Sequence, residues 1–202
     1  MRKVAYIIPG FTESTRDFPY TQIKEWLEIK SISVVPVDIT WDLQKEIACI
    51  PSYVEQFLLQ FQQHHKQGDE VYILGYSFGA MVAWIAAQEI NPHTVILCSM
   101  SPFFKEYITE HREVWNKKMS RIGVSGMQEY SFGLDAPQKT CAQVHILIGT
   151  NEPISITDWS KKVFDCLQGA NIPATLSLAQ GAPHNIKDPQ YLIELQRIIE
   201  QL

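Results

Sequence analysis

Residues 71–84, VYILGYSFGAMVAW, constrain what this chain can fold into more than any other stretch. They open on an apolar run, Val71-Tyr72-Ile73-Leu74, and close on a helix-forming run from Ala80. Between the two stands Gly75-Tyr76-Ser77-Phe78-Gly79, a G-x-S-x-G. That pattern recurs by chance, so its setting matters more than its letters. A strand that runs straight into Gly-x-Ser-x-Gly and then a helix has the sequence of a nucleophile elbow. The sharp turn brings strand and helix backbones together, and a side chain at either flanking position clashes. The helix starting at the Ser points its first amides and its positive dipole end there, which favours developing negative charge. The bland alternative is a buried strand-turn-helix with an incidental serine.

The rest of the chain repeats this alternation. Residues 4–8 form an apolar run ended by Pro9-Gly10, a buried strand entering a turn. Residues 19–30 carry Ile23, Trp26, Leu27 and Ile29 near helical spacing. Residues 33–39 are β-branched, and Pro36 cannot donate to a ladder, so an edge strand or a bulge is expected. Residues 41–50 read as irregular or briefly helical. Residues 51–66, with Val54, Phe57, Leu58 and Phe61, form an amphipathic helix that Gly68-Asp69 ends. The helix after Ser77 stops at Asn91-Pro92. Residues 94–98, 144–149 and 174–179 are further strands. Residues 156–167 form a helix with Thr157 or Asp158 as cap, and Asp188-Pro189 opens the last helix with Asp as N-cap. Between residues 101 and 138 the alternation breaks, with an aromatic and charged helical part followed by Gly123, Gly126 and Gly133.

Short, nearly continuous apolar strands alternating with helices predict an α/β fold. Its form is a three-layer α/β/α sandwich around a mostly parallel six-stranded sheet. One domain over residues 1–202 is expected, with a small lid insertion at about 101–138. Right-handed crossovers place all strand C-terminal ends on one edge, where open α/β sheets bind ligands.

Composition narrows the partners. Hydrophobic residues at 46% and charged residues at 19% point to a globular chain rather than a disordered one. The net charge of -5 carries no basic stripe, which argues against a nucleic-acid partner. No apolar run reaches the roughly 18 residues that span a bilayer. The apolar stretch after Arg2-Lys3 is cut short by Pro9-Gly10, so it reads as a strand of the mature fold and not as a signal peptide. Cys49, Cys98, Cys141 and Cys166 show no C-x-x-C spacing and read as reduced thiols of a cytoplasmic protein. There is no Walker loop, dinucleotide fingerprint or metal-ligand cluster, so no cofactor and no metal are expected. Nothing in the sequence indicates an oligomeric state.

The strand ends carry the chemistry. Ser77 follows the third strand, Gly149-Thr150-Asn151-Glu152 the fifth, and Gly181-Ala182-Pro183-His184 the sixth. A nucleophile, a carboxylate and an imidazole thus occur in the order Ser, acid, His. A serine hydroxyl attacks well only if a base takes its proton, and an imidazole can accept and return one near neutrality. A carboxylate fixes the imidazole tautomer and stabilises the imidazolium. The oxyanion needs preorganised donors, for which the Phe78 and Phe11 amides are candidates, with Gly10 allowing close backbone approach. Asp158 is the rival acid, though a helix cap also explains it. Ser99-Met100-Ser101, after the fourth strand, offers no carboxylate. His64 and His65 fall near a helix end, His145 lies inside a strand, and His93 and His111 lie outside the expected position.

On these motifs the chain resembles the α/β-hydrolase superfamily, specifically a small serine hydrolase or esterase, over nearly its whole length. The resemblance implies Ser77 as nucleophile, His184 as base, Glu152 as acid, and the Phe11 and Phe78 amides as oxyanion hole. The oxyanion loop reads Pro-Gly where many relatives have His-Gly, and the acid is Glu rather than the commoner Asp. No strands precede residue 4, so a trimmed core is expected. The segment from Phe103 to Tyr130 is the expected lid or substrate wall. Phe103, Phe104, Tyr107 and Trp115 either line an apolar acyl pocket or pack the segment onto the sheet. Gly10 and Tyr76 join them as expected substrate contacts. The activity implied is cleavage of a small-molecule carboxylic ester or thioester through an acyl-Ser77 intermediate. The alternatives are a non-catalytic binding module of the same fold, and acyl transfer or lyase chemistry.

Overall fold

All the strand pairings are parallel, and they follow from strands with apolar side chains on both faces. In the computed structural model the described residues are 1–42, 50–102, 105–111, 113 and 143–202. Six strands run β1 (Lys3–Ile8), β2 (Ser33–Pro36), β3 (Glu70–Tyr76), β4 (Thr94–Cys98), β5 (Gln143–Gly149) and β6 (Ala174–Ala179), in the spatial order β2-β1-β3-β4-β5-β6. The helices are α1 (Tyr20–Ile29), α2 (Ile50–His64), α3 (Phe78–Ile90), α4 (Lys105–Glu110), α5 (Ile154–Gly169) and α6 (Pro189–Glu200). Phe103, Phe104, Trp115, Cys49, Cys141, the three glycines Gly123, Gly126 and Gly133, and most of the expected lid lie outside the described residues.

Alternation within β1 shows how the layers form. Val4, Tyr6 and Ile8 join the core with α2, α3 and α5, while Ala5 and Ile7 join the opposite core with α1 and α6. The result is the expected α/β/α sandwich, with the six-stranded sheet between two helical layers. Pro36 sits on the outer strand β2, where a missing donor costs nothing to the ladder. One cap differs from expectation. Helix α5 starts at Ile154 behind Pro153, without a side-chain cap, so Thr157 and Asp158 lie inside it. The Pro153 carbonyl already accepts from the Ile156 and Thr157 amides, and the Thr157 hydroxyl donates to the Ile154 carbonyl at 3.0 Å instead. Asp188 caps α6 as read, accepting from the amides of Gln190 and Tyr191.

The strand order places the functional edge. The chain goes from β1 out to β2, then returns to β3 on the other side of β1. The order therefore reverses between β1 and β3, and a crevice opens where their C-terminal ends diverge. Gly10-Phe11 flanks it on one side and Ser77 on the other.

The glycines around Ser77 are sterically required. A Cβ on Gly75 would stand 2.3 Å from the Gly79 carbonyl oxygen, and one on Gly79 would stand 2.3 Å from that of Pro9. Both obstacles are backbone, so neither can swing away. Gly79→Ala is expected to destabilise the fold by about 2–3 kcal/mol. A urea unfolding midpoint equal to wild type would contradict this.

His145 on β5 gives the fold a pH dependence. It is buried, its Nδ1 lies 2.8 Å from the Thr175 hydroxyl, and its Nε2 has no partner among the described residues. Burial disfavours the imidazolium and lowers its pKa below the ordinary 6.5. As pH falls through 6.5 the unfolded chain takes up this proton and the folded chain does not, so stability is lost from there downward. Asp69, which its hydrogen bond from Arg2 holds at about 2, adds a separate loss that begins only below 3.8. His145→Gln is expected to flatten the drop in melting temperature between about pH 7 and pH 5. An unchanged slope in thermal melts would overturn the assignment.

Candidate active site

Strand β3 delivers Ser77 into a conformation few serines adopt, with φ 53° and ψ -115°. The backbone is held there from both sides. The Ser77 amide donates to the Cys98 carbonyl at 2.9 Å, and the Ser77 carbonyl accepts from Ala80 at 3.1 Å as α3 begins. The hydroxyl stands at the helix N-terminus and is 3.1 Å from His184 Nε2.

His184 and Glu152 come from the loops after β6 and β5, and these loops are laced together. Thr150 N–H donates to the Ala179 carbonyl at 3.0 Å and Asn151 N–H to that of Ala182 at 3.0 Å. The Asn151 amide side chain reaches the Gly181 carbonyl at 3.0 Å, while the Gly181 amide donates to the Thr150 hydroxyl at 2.7 Å. The relative position of acid and imidazole is thereby fixed. Glu152 Oε2 lies 2.8 Å from His184 Nδ1.

The Glu152 side chain is fully buried, so its charge must be met by donors. Oε1 accepts from the Ser99 hydroxyl and from the Gly149 amide, both at 2.6 Å. Ser99 is itself 2.6 Å from the Tyr191 hydroxyl, whose single proton is shared with the Leu147 carbonyl 3.1 Å away. Burial, and then the neighbouring Cys98 and Glu152, push the Tyr191 phenol well above its ordinary 10, so it stays protonated. Burial likewise pushes the Cys98 thiol up to about 12.

Tyr76 packs as a support for the imidazole. Its ring stacks on His184 with centroids 5.3 Å apart and planes at 25°, and it meets Tyr191 edge-on. Burial, ahead of the charges of Glu13 and Glu152, raises its pKa and keeps it neutral. On the far side of the crevice, the Gly10 amide is held by Glu13 Oε2 at 3.1 Å and the Tyr20 hydroxyl at 2.9 Å. Glu13 closes the turn by donating its own amide to the Gly10 carbonyl at 3.0 Å. The Phe11 N–H makes no hydrogen bond among the described residues. The Phe11 and Phe78 rings lie 5.1 Å apart, with Trp41 5.6 Å from Phe11.

The structure thus brings Ser77, His184 and Glu152 together, with Tyr76 beside the imidazole and Gly10 and Phe11 across the crevice. Asp158 is exposed on α5 and takes no part. Tyr107 on α4 packs edge-on against Trp159 at 5.3 Å. His65 and His93 pair with Asp69 and Glu70 at the opposite edge of the sheet. Phe103 and Phe104 lie outside the described residues. Sequence reasoning passed over Ser99, Ser101 and Tyr191. The two serines follow β4 on the functional edge, but neither is a carboxylate or an imidazole, and nothing in the sequence marks Tyr191.

If Ser99 holds Glu152, removing its hydroxyl leaves Oε1 with a single donor. Ser99→Ala is expected to cost about 1.5–3 kcal/mol and Tyr191→Phe about 1 kcal/mol. Chemical unfolding checks both, and an S99A midpoint equal to wild type would show that the carboxylate does not need this donor.

No family model and no curated protein matches the sequence. Solved structures do match the fold. Alpha/beta hydrolase domain-containing protein 10 from mouse superposes with a TM-score of 0.74 at 14% identity, covering 98% of this chain and 88% of that one. An esterase/lipase from an uncultured bacterium gives 0.70 at 15% identity, over 98% and 75%. Est1E from Butyrivibrio proteoclasticus gives 0.64 at 13% identity, over 99% and 88%. Among the described residues no helix is long and apolar enough to cross a membrane.

Proposed function

We propose that this chain, which has the α/β-hydrolase fold, is a serine hydrolase that cleaves a small carboxylic ester or thioester. One observation carries the reading: Ser77 Oγ, both nitrogens of His184 and Glu152 form an unbroken hydrogen-bonded line, with steps of 3.1 and 2.8 Å. The similarity to structures named as esterases supports an ester-like substrate.

In this mechanism Ser77 Oγ attacks the substrate carbonyl carbon as His184 Nε2 takes its proton. The buried Glu152 carboxylate faces the imidazolium that forms and holds its orientation. The oxyanion meets the amides of Phe78, at the start of α3, and Phe11, whose N–H is unengaged among the described residues. Protonated His184 then gives its proton to the departing alcohol or thiol. Water, activated by the same imidazole, hydrolyses the acyl-Ser77 ester. The buried thiol of Cys98 suits a reducing, cytoplasmic setting.

A fluorophosphonate probe tests this without knowledge of the substrate. Wild type is expected to label and Ser77→Ala not at all, while His184→Ala slows labelling by roughly 10²-fold or more. Labelling that persists in S77A, or a folded wild type that never labels, would sink the reading. The latter outcome favours a non-catalytic binding module.

A further inference from the structure

A second hydroxyl touches the reacting oxygen. Ser101 is buried, and its Oγ lies 3.2 Å from Ser77 Oγ. Its backbone N–H also reaches the Ser77 carbonyl at 3.4 Å, so the segment after β4 is strapped across the turn after β3. The left-handed Ser99, with φ 47°, starts that strap.

Counting protons fixes the direction of the bond between the two serines. Glu152 as a carboxylate can only accept, so His184 Nδ1, 2.8 Å away, carries the proton. In the neutral imidazole Nε2 is then bare and can only accept. Ser77 has one hydroxyl proton, and the contact at 3.1 Å commits it to Nε2. No proton of Ser77 remains for Ser101. The bond at 3.2 Å therefore runs from the Ser101 O–H to Ser77 Oγ.

We propose that Ser101 is a further catalytic residue, whose hydroxyl stabilises negative charge on Ser77 Oγ. This rests on Ser77 being the nucleophile. The charge appears twice. In acylation it grows as the Ser77 proton passes to His184 and the Oγ–carbon bond forms. In deacylation, water adds to the acyl carbon and gives a proton to His184. The carbon–Oγ bond then breaks, its electron pair stays on Oγ, and Nε2 returns the proton there. An ester oxygen in the acyl-enzyme is a poorer acceptor than the departing oxygen. The donor therefore binds the transition state more tightly than the acyl ground state, as rate acceleration requires. It is already in place, so no reorganisation accompanies the charge.

Replacement by alanine, threonine and valine tests this. Thr and Val have nearly the same shape and differ in the hydroxyl. Each variant is checked for folding by circular dichroism and for Ser77-dependent fluorophosphonate labelling. Burst and steady-state turnover of p-nitrophenyl butyrate are then measured. Ser101→Ala is expected to lower kcat by about 10- to 100-fold with little change in KM. Ser101→Thr recovers most of that loss and Ser101→Val none. Wild-type rates in S101A, or equal rates in the Thr and Val variants, would overturn the assignment while leaving Ser77 as nucleophile. A folded wild type that never labels would remove both. If S101A does not fold, the Thr and Val pair still decides.

Discussion

The buried carboxylate of Glu152 is the constraint on which the functional edge depends. A charge removed from water is costly unless donors surround it, and breaking such a set is more damaging than never having built it. Its donors come from three different strand ends: Ser99 after β4, Gly149 closing β5, and His184 in the loop after β6. One side chain thus pins three connections that share no local sequence. The lacing of residues 150–151 onto residues 179–182 secures the same two loops through backbone and side-chain hydrogen bonds that do not involve Glu152.

The frame of this arrangement was legible in the sequence because its causes are local. Apolar runs of strand length mark the strands, Pro9-Gly10 ends the first of them, and Gly68-Asp69 and Asn91-Pro92 end the helices that precede β3 and β4. Right-handed crossovers put all the strand C-terminal ends on one edge, and the strand order, which reverses at β1 and β3, sets residues 10–11 opposite Ser77. Gly75 and Gly79 are the clearest case. Each was read as a place where a side chain would clash, and each has a backbone carbonyl where a Cβ would go.

What was not legible depends on long-range packing. Ser99 takes a positive φ that glycine or asparagine would advertise and serine does not. Tyr191 contributes one hydroxyl from the first turn of α6, and its helical face looks like any other core position. The cap of α5 misled for a simpler reason. Thr157 and Asp158 are good capping residues, but Pro153 starts the helix before them. Tyr76 reads from the sequence as a substrate contact, and nothing local marks the support its ring gives to His184.

Ser77 and Ser99 both sit in left-handed backbone, at the ends of neighbouring strands β3 and β4. Such residues cost on the order of 1–3 kcal/mol each and persist only where the surroundings over-determine them. Here the surroundings are each other. The Ser77 amide uses the Cys98 carbonyl, the Ser99 amide uses the Leu147 carbonyl at 2.7 Å, and Ser101 returns to the Ser77 carbonyl. Hydrogen bonding between β3, β4 and β5 therefore continues past the strands, where the chain has already turned out of the sheet. This strap aims the Ser99 hydroxyl at the acid and the Ser101 hydroxyl at Ser77. One short segment after β4, itself without a carboxylate or an imidazole, thereby orders both ends of the line from Glu152 to Ser77.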